Sequence, residues 1–74
     1  MKLYIFTNRE NPNVEFSETE ADLINAAKTA AYFKELKQFE STNYHSELEW
    51  AEDVLIHDIS SRFECKILDN SYEN

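Results

Sequence analysis

A chain of 74 residues is short enough for a single domain, and a domain near this size buries only about 60% of the surface of its unfolded chain. Fifteen acidic residues outnumber seven basic ones for a net charge of −8, which excludes nucleic acid and anionic membranes as direct partners and favours a basic protein. The single cysteine excludes an internal disulfide, and without a secretory segment or a membrane-length apolar run we expect a cytoplasmic protein.

The N-terminal stretch has the pattern of a β-hairpin. Residues Lys2–Thr7 are rich in aromatic and β-branched side chains and are predicted to form a strand. The segment Asn8–Asn13 is rich in turn-forming residues. Residues Val14–Phe16 are then the short second strand of the hairpin.

The next segment is predicted to be a long helix. Ser17 is the expected N-cap, because Glu20 follows three residues later in the pattern of a capping box. The apolar stripe shifts around the helix near Tyr32, so the helix either changes what it packs against or breaks there. We favour one helix from Glu18 to about Phe39.

The stretch SELEWAEDVLIHDI has the strongest helical pattern in the chain. Ser46 and Glu49 repeat the capping-box spacing, which predicts a helix over Glu47–Ile59. Its apolar stripe consists of Leu48, Ala51, Leu55 and Ile59. The alternative is a strand over the β-branched residues Val54–Ile59, and the spacing back to Leu48 favours the helix.

The C-terminal part is predicted to add a third strand to the hairpin. Phe63, Cys65 and Ile67 recur at every second position, which is typical of a half-buried strand. Residues 69–74 are expected to form a frayed polar tail. Because the chain has no glycine, turns with positive φ are expected to use asparagine. The predicted fold is α+β, a small antiparallel sheet covered by two helices in one domain.

No motif indicates catalysis, a cofactor or a metal. The series His45, Glu49, Asp53 and His57 has helical spacing, but zinc needs three or four ligands in a fixed tetrahedron and no C-x-x-C or H-E-x-x-H is present. Cys65 lies in an apolar strand pattern among carboxylates, which favour the neutral thiol over a nucleophilic thiolate. We therefore expect neither an enzyme nor a metal or cofactor site.

The acidic surface is the remaining candidate site. Glu49, Glu52 and Asp53 occupy neighbouring positions on the second predicted helix, at a density that resembles backbone phosphates. Trp50 lies away from the apolar stripe, and together with Tyr44 it is predicted to be an exposed anchor for a partner. The alternative is that these two aromatic side chains pack against the first helix. The start of the first predicted helix supplies a second patch: Glu18, Glu20 and Asp22.

In size and composition the chain resembles the small acidic inhibitors that bacteriophages and mobile elements encode, including anti-CRISPR and DNA-mimic proteins. That resemblance implies a protein that acts in a bacterial host cell by blocking a basic nucleic-acid-binding partner. The alternative is a structural or regulatory subunit that self-associates or joins an assembly through apolar surface, namely the two apolar faces of the first strand and the face formed by Tyr32, Leu36 and Phe39.

Overall fold

A computed structural model describes residues 1–69. Three strands form one antiparallel sheet: β1 (Lys2–Asn8), β2 (Glu15–Thr19) and β3 (Phe63–Asp69). Their order is β2-β1-β3, so β1 is central and pairs with both other strands. Two helices complete the fold, and the predicted α+β class is confirmed.

Asparagine side chains close the turn between β1 and β2, as the composition predicts. The Asn8 Oδ1 atom accepts the backbone N–H groups of Glu10 and Asn11, both at 2.9 Å. The Asn8 N–H donates to the Val14 carbonyl at 2.9 Å. β2 extends further than predicted because pairing with β1 continues as far as Thr19.

The first helix, α1 (Glu20–Lys34), begins later than predicted. Thr19 is its N-cap and accepts the Asp22 N–H at 3.2 Å. The prediction of Ser17 as N-cap is wrong, because Ser17 lies within β2 and pairs with Ile5. Two overlapping capping patterns occur here, and strand pairing selects the second of them.

The helix α1 also ends earlier than the predicted Phe39. Glu35 takes a left-handed conformation, with φ 56° and ψ 37°, and terminates the helix after Lys34. Leu36 and Phe39 then pack against the core from an irregular segment. A continued helix would have placed both on the face of Tyr32, which is 77% exposed. The expectation that a positive φ falls on asparagine is also wrong within residues 1–69.

The second helix, α2, is continuous but changes its winding. It consists of an α-helical part (Glu47–Ala51), a π-helical turn (Glu52–Ile56) and a last α-helical turn (His57–Ile59). Ser46 is its N-cap and accepts the Glu49 N–H at 3.1 Å. The predicted helix is confirmed, and the alternative of a strand over its second half is wrong.

The core lies between one face of the sheet and the two helices. Its buried side chains come from β1, α1 and α2: Tyr4, Phe6, Leu23, Ala27, Ala31, Trp50, Ala51 and Leu55. The alanines of α1 allow its backbone to approach the neighbouring elements closely. The opposite face of the sheet, which includes Leu3 and Ile5, is covered by no helix among the described residues and is half-buried.

The strand β3 extends into the predicted tail. Asp69 pairs with Lys2, so its assignment to a frayed tail is wrong. The rest of the predicted tail, residues 70–74, lies outside the described residues. Within residues 1–69, neither helix combines the length and the apolar character that crossing a membrane requires.

Candidate protein-binding surface

Trp50 is part of the core and not an exposed anchor. Its side chain is 1% exposed, and its indole Nε1–H donates to the Lys37 carbonyl at 2.8 Å. Its ring meets Phe39 edge to face, with 6.1 Å between centroids. The predicted exposure is wrong because α1 ends early, and the segment that follows it folds over this side of α2.

Glu52 is also engaged within the fold. The Tyr4 hydroxyl donates to its carboxylate, and the Lys2 ammonium lies 3.3 Å from it. Burial, followed by the hydrogen bond to Glu52, raises the pKa of Tyr4. The Glu52 side chain is only 23% exposed, so it has little surface left for a partner.

The predicted second patch divides between two elements. Glu18 lies on β2 opposite Tyr4 and is half-buried. Glu20 begins α1, and its Oε2 atom accepts the backbone N–H of Lys2 at 2.8 Å. Asp22 is exposed in the first turn of the same helix, where the helix dipole favours an acid. Of the three, Asp22 alone is fully on the surface.

Glu49 and Asp53 are the predicted site residues that remain exposed together on α2. They are four positions apart, so they lie on adjacent turns of one helical side. The four ion pairs within residues 1–69 engage other acids: Asp69, Glu52, Glu47 and Asp58. Glu49 and Asp53 therefore form no ion pair within residues 1–69.

These two carboxylates hold the preceding loop against the helix. The Tyr44 hydroxyl donates to Asp53 at 2.6 Å, and this hydrogen bond is the main cause of the raised pKa of Tyr44. The Glu49 side chain accepts the backbone N–H of His45 at 3.4 Å. That N–H belongs to the residue before the N-cap, so the capping box is shifted from its usual form by one residue. We call Glu49, Asp53 and Tyr44 the α2 acidic surface.

A depression of about 410 Å³ adjoins the α2 acidic surface. Its lining residues come from α2 and from the segment after α1: Leu36, Lys37, Tyr44, Asp53, Val54, His57 and Asp58. The Lys37 ammonium lies 5.3 Å from the centre of the Tyr44 ring, and the Lys34 ammonium is 2.8 Å from the Asp58 carboxylate. The lining of the depression therefore combines apolar and charged side chains. Sequence reasoning missed it because it depends on the path of the chain after Glu35.

The surroundings of Cys65 favour the neutral form of its thiol. Burial, and then the charge of Glu52, raises the pKa of the Cys65 thiol, which keeps it protonated. No group of three His, Cys, Asp or Glu side chains within residues 1–69 is placed to hold a metal ion.

An exposed aromatic pair on α1 was not predicted as such. Tyr32 and Phe33 are 77% and 75% exposed, and their rings meet edge to face at 5.0 Å. Phe33 continues a shallow groove with Ala26 and Ala30. The predicted face that joined Tyr32 to Leu36 and Phe39 does not form, because the helix ends between them.

Comparisons of the chain with protein-family models, with curated proteins and with solved structures find no match.

Proposed function

We propose that this protein is a non-enzymatic inhibitor that docks the α2 acidic surface on a basic, nucleic-acid-binding protein. One observation carries the proposal: Glu49 and Asp53 are exposed on adjacent turns, without ion-pair partners among residues 1–69, in a chain of net charge −8. Exposed carboxylates that form no ion pair within the fold are available to attract a basic surface.

The spacing of these carboxylates suits a groove made for nucleic acid. Residues four positions apart on a helix are separated by about 6 Å along its axis. Phosphates along one strand of a duplex carry one negative charge per about 3.4 Å of rise, a spacing of the same order. Glu49 and Asp53 thus place exposed negative charges close together along the helix, as a phosphate backbone does along its strand.

The proposed mechanism is steric and electrostatic blockade. The acidic surface occupies the cationic groove, while the ring of Tyr44, held by Asp53, supplies a half-buried aromatic contact at its edge. Such association is fast and weakens as salt screens the charges. The chain itself does not bind nucleic acid. In this proposal it acts as the acidic inhibitors of bacteriophages do, anti-CRISPR proteins among them.

The test begins with capture of partners from a bacterial lysate at low salt and identification of a basic protein that is released at high salt. The affinity of that protein is then measured for three chains: the native protein, a double variant Glu49→Lys with Asp53→Lys, and a control variant Glu10→Lys with Glu15→Lys. Both variants change the net charge from −8 to −4. Glu10 and Glu15 are exposed at the hairpin, outside the α2 acidic surface.

We expect the α2 variant to lose affinity by roughly ten-fold or more, because two attractive contacts become repulsive. The hairpin variant should retain most of its binding. A further variant, Tyr44→Phe, removes the hydrogen bond to Asp53 without a change in charge and so separates loop order from electrostatics. Equal losses in the α2 and hairpin variants would show that only net charge matters, and the assignment of the site would then be wrong.

A further inference from the structure

The outer edge of β3 pairs with no other strand within residues 1–69, since β3 is the last strand of the sheet. The Arg9 N–H donates to the Arg62 carbonyl at 2.8 Å, which extends the β1–β3 ladder by one pair beyond Phe63. In an antiparallel ladder, hydrogen-bonded residue pairs alternate with non-hydrogen-bonded ones. The backbones of Glu64 and Lys66 therefore face β1. Within the segment Phe63–Ile67, three residues direct their N–H and C=O groups outward: Phe63, Cys65 and Ile67.

We propose that a second copy of this chain pairs on that edge, antiparallel, with Cys65 opposite Cys65 of the second copy. A twofold axis then generates the same contacts in both chains. In this register Glu64 of each copy lies opposite Lys66 of the other. The pair is a non-hydrogen-bonded one, in which opposing side chains approach most closely.

Charge selects this register over its neighbours. Hydrogen bonds form across the new edge only where outward-facing residues of the two copies oppose each other. The neighbouring registers are therefore those in which one copy slides along the other by two residues. One step in either direction places Glu64 opposite Glu64 or Lys66 opposite Lys66. Like charges directly opposite destabilise a strand pair, whereas opposite charges stabilise it. Only the proposed register places both Glu64 and Lys66 of each copy opposite a residue of opposite charge.

The other face of β3 supplies an apolar contact in the same register. Phe63 of each copy lies opposite Ile67 of the other, on the side of the sheet that the helices cover. Ile67 is 46% exposed although it points to this side, and Phe63 is half-buried. Pairing would cover the exposed part of Ile67 with an aromatic ring, and such cross-strand pairs stabilise sheets.

The second free edge of the sheet does not offer the same complementarity. β2 carries Glu15 and Glu18 and has no lysine or arginine. Two copies that met there would bring only like charges together. β3 has Lys66 within its pattern, and the proposal therefore concerns β3 and is independent of the α2 acidic surface.

The test is sedimentation equilibrium of charge-reversed chains over a range of concentrations at constant ionic strength. Glu64→Lys changes the net charge from −8 to −6, and Lys66→Glu changes it to −10. If repulsion between whole chains governed association, these two variants would shift the dimer dissociation constant in opposite directions. We expect both to weaken the dimer, by roughly ten-fold, because each converts two attractive pairs into two repulsive ones.

Two rescue experiments guard against misfolded variants. The double variant Glu64→Lys with Lys66→Glu restores the pairs and the charge of −8, and it should dimerise as the native chain does. An equal mixture of the two single variants should form a heterodimer, since lysines of one chain then face glutamates of the other. Within each chain these residues oppose Thr7 and Ile5 on β1, so the reversals remove no ion pair from the fold.

Three results would overturn the proposal. One is a native chain that stays monomeric into the millimolar range. Another is dimerisation that the charge reversals leave unchanged. The third is a dimer that Tyr32→Ser with Phe33→Ser abolishes while the β3 variants do not, which would place the interface on α1.

Discussion

Replacement of Trp50 is the sharpest test of how the two helices are held together. Its indole is the largest fully buried side chain and is 1% exposed. It joins α2 to the segment after α1 through the ring contact with Phe39 and the hydrogen bond to the Lys37 carbonyl. Two substitutions separate these contributions. Trp50→Phe keeps a ring but removes the donor, and Trp50→Ala removes both.

The expected magnitudes follow from burial. Large aromatic to alanine substitutions in a core cost about 3–5 kcal/mol. At about 0.05–0.15 kcal/mol per residue, a chain of 74 residues has a free energy of unfolding of about 4–11 kcal/mol. Trp50→Ala therefore removes a large part of the stability. Trp50→Phe removes the part-buried hydrogen bond to the Lys37 carbonyl, at a cost of about 0.5–1.5 kcal/mol.

The assay is urea unfolding followed by far-UV circular dichroism, which does not depend on the tryptophan signal. Phe33→Leu is a matched control, because Phe33 is 75% exposed and its change is expected to stay within about 0.5 kcal/mol. The native tryptophan should also emit at short wavelength and resist quenching by acrylamide. If Trp50→Ala unfolded at the same urea concentration as the native protein, the burial argument would be refuted, and Trp50 would have to lie on the surface.

Two further predictions concern a helix cap and a buried phenol. Ser46→Ala should lower the free energy of unfolding by about 1 kcal/mol, and Ser17→Ala by less than about 0.5 kcal/mol, because of these two serines only Ser46 caps a helix. Equal effects of the two substitutions in urea unfolding would contradict the assignment of Ser46 as the N-cap. Folding raises the pKa of Tyr4 above its ordinary value of 10.0, so above about pH 10 the native state retains a proton that the unfolded chain loses. The free energy of unfolding should therefore fall as pH rises above about 10, by up to about 1.4 kcal/mol per pH unit. Tyr4→Phe should make that decline shallower, and an identical slope in alkaline unfolding would show that Tyr4 does not contribute.

Local chemistry determined much of the fold. The alternating pattern of Lys2–Thr7 and the turn residues after it require a hairpin because the side-chain period of a strand is two. The cap at Ser46 and the stripe that follows it likewise specify α2. These signals depend on neighbours within a few residues, so they can be identified without any knowledge of tertiary contacts.

Competition between elements decided the rest. Ser17 and Thr19 both begin a capping pattern, and only pairing of β2 with β1 selects Thr19. The end of α1 depends on the core, because a left-handed Glu35 costs local energy and allows Leu36 and Phe39 to reach that core. No local pattern reports such a gain, since it arises from burial against residues distant in the chain.

The candidate site shows the same division. Composition alone determined a strongly acidic surface, because net charge is a sum over residues and independent of their positions. Tertiary structure decided which acids form it: Glu52 is drawn inward by Tyr4 and Lys2, whereas Glu49 and Asp53 remain on the surface. All three residues are carboxylates on one helix, so the sequence does not distinguish them. Glu52 differs from the other two because it lies on the side of α2 that faces the sheet.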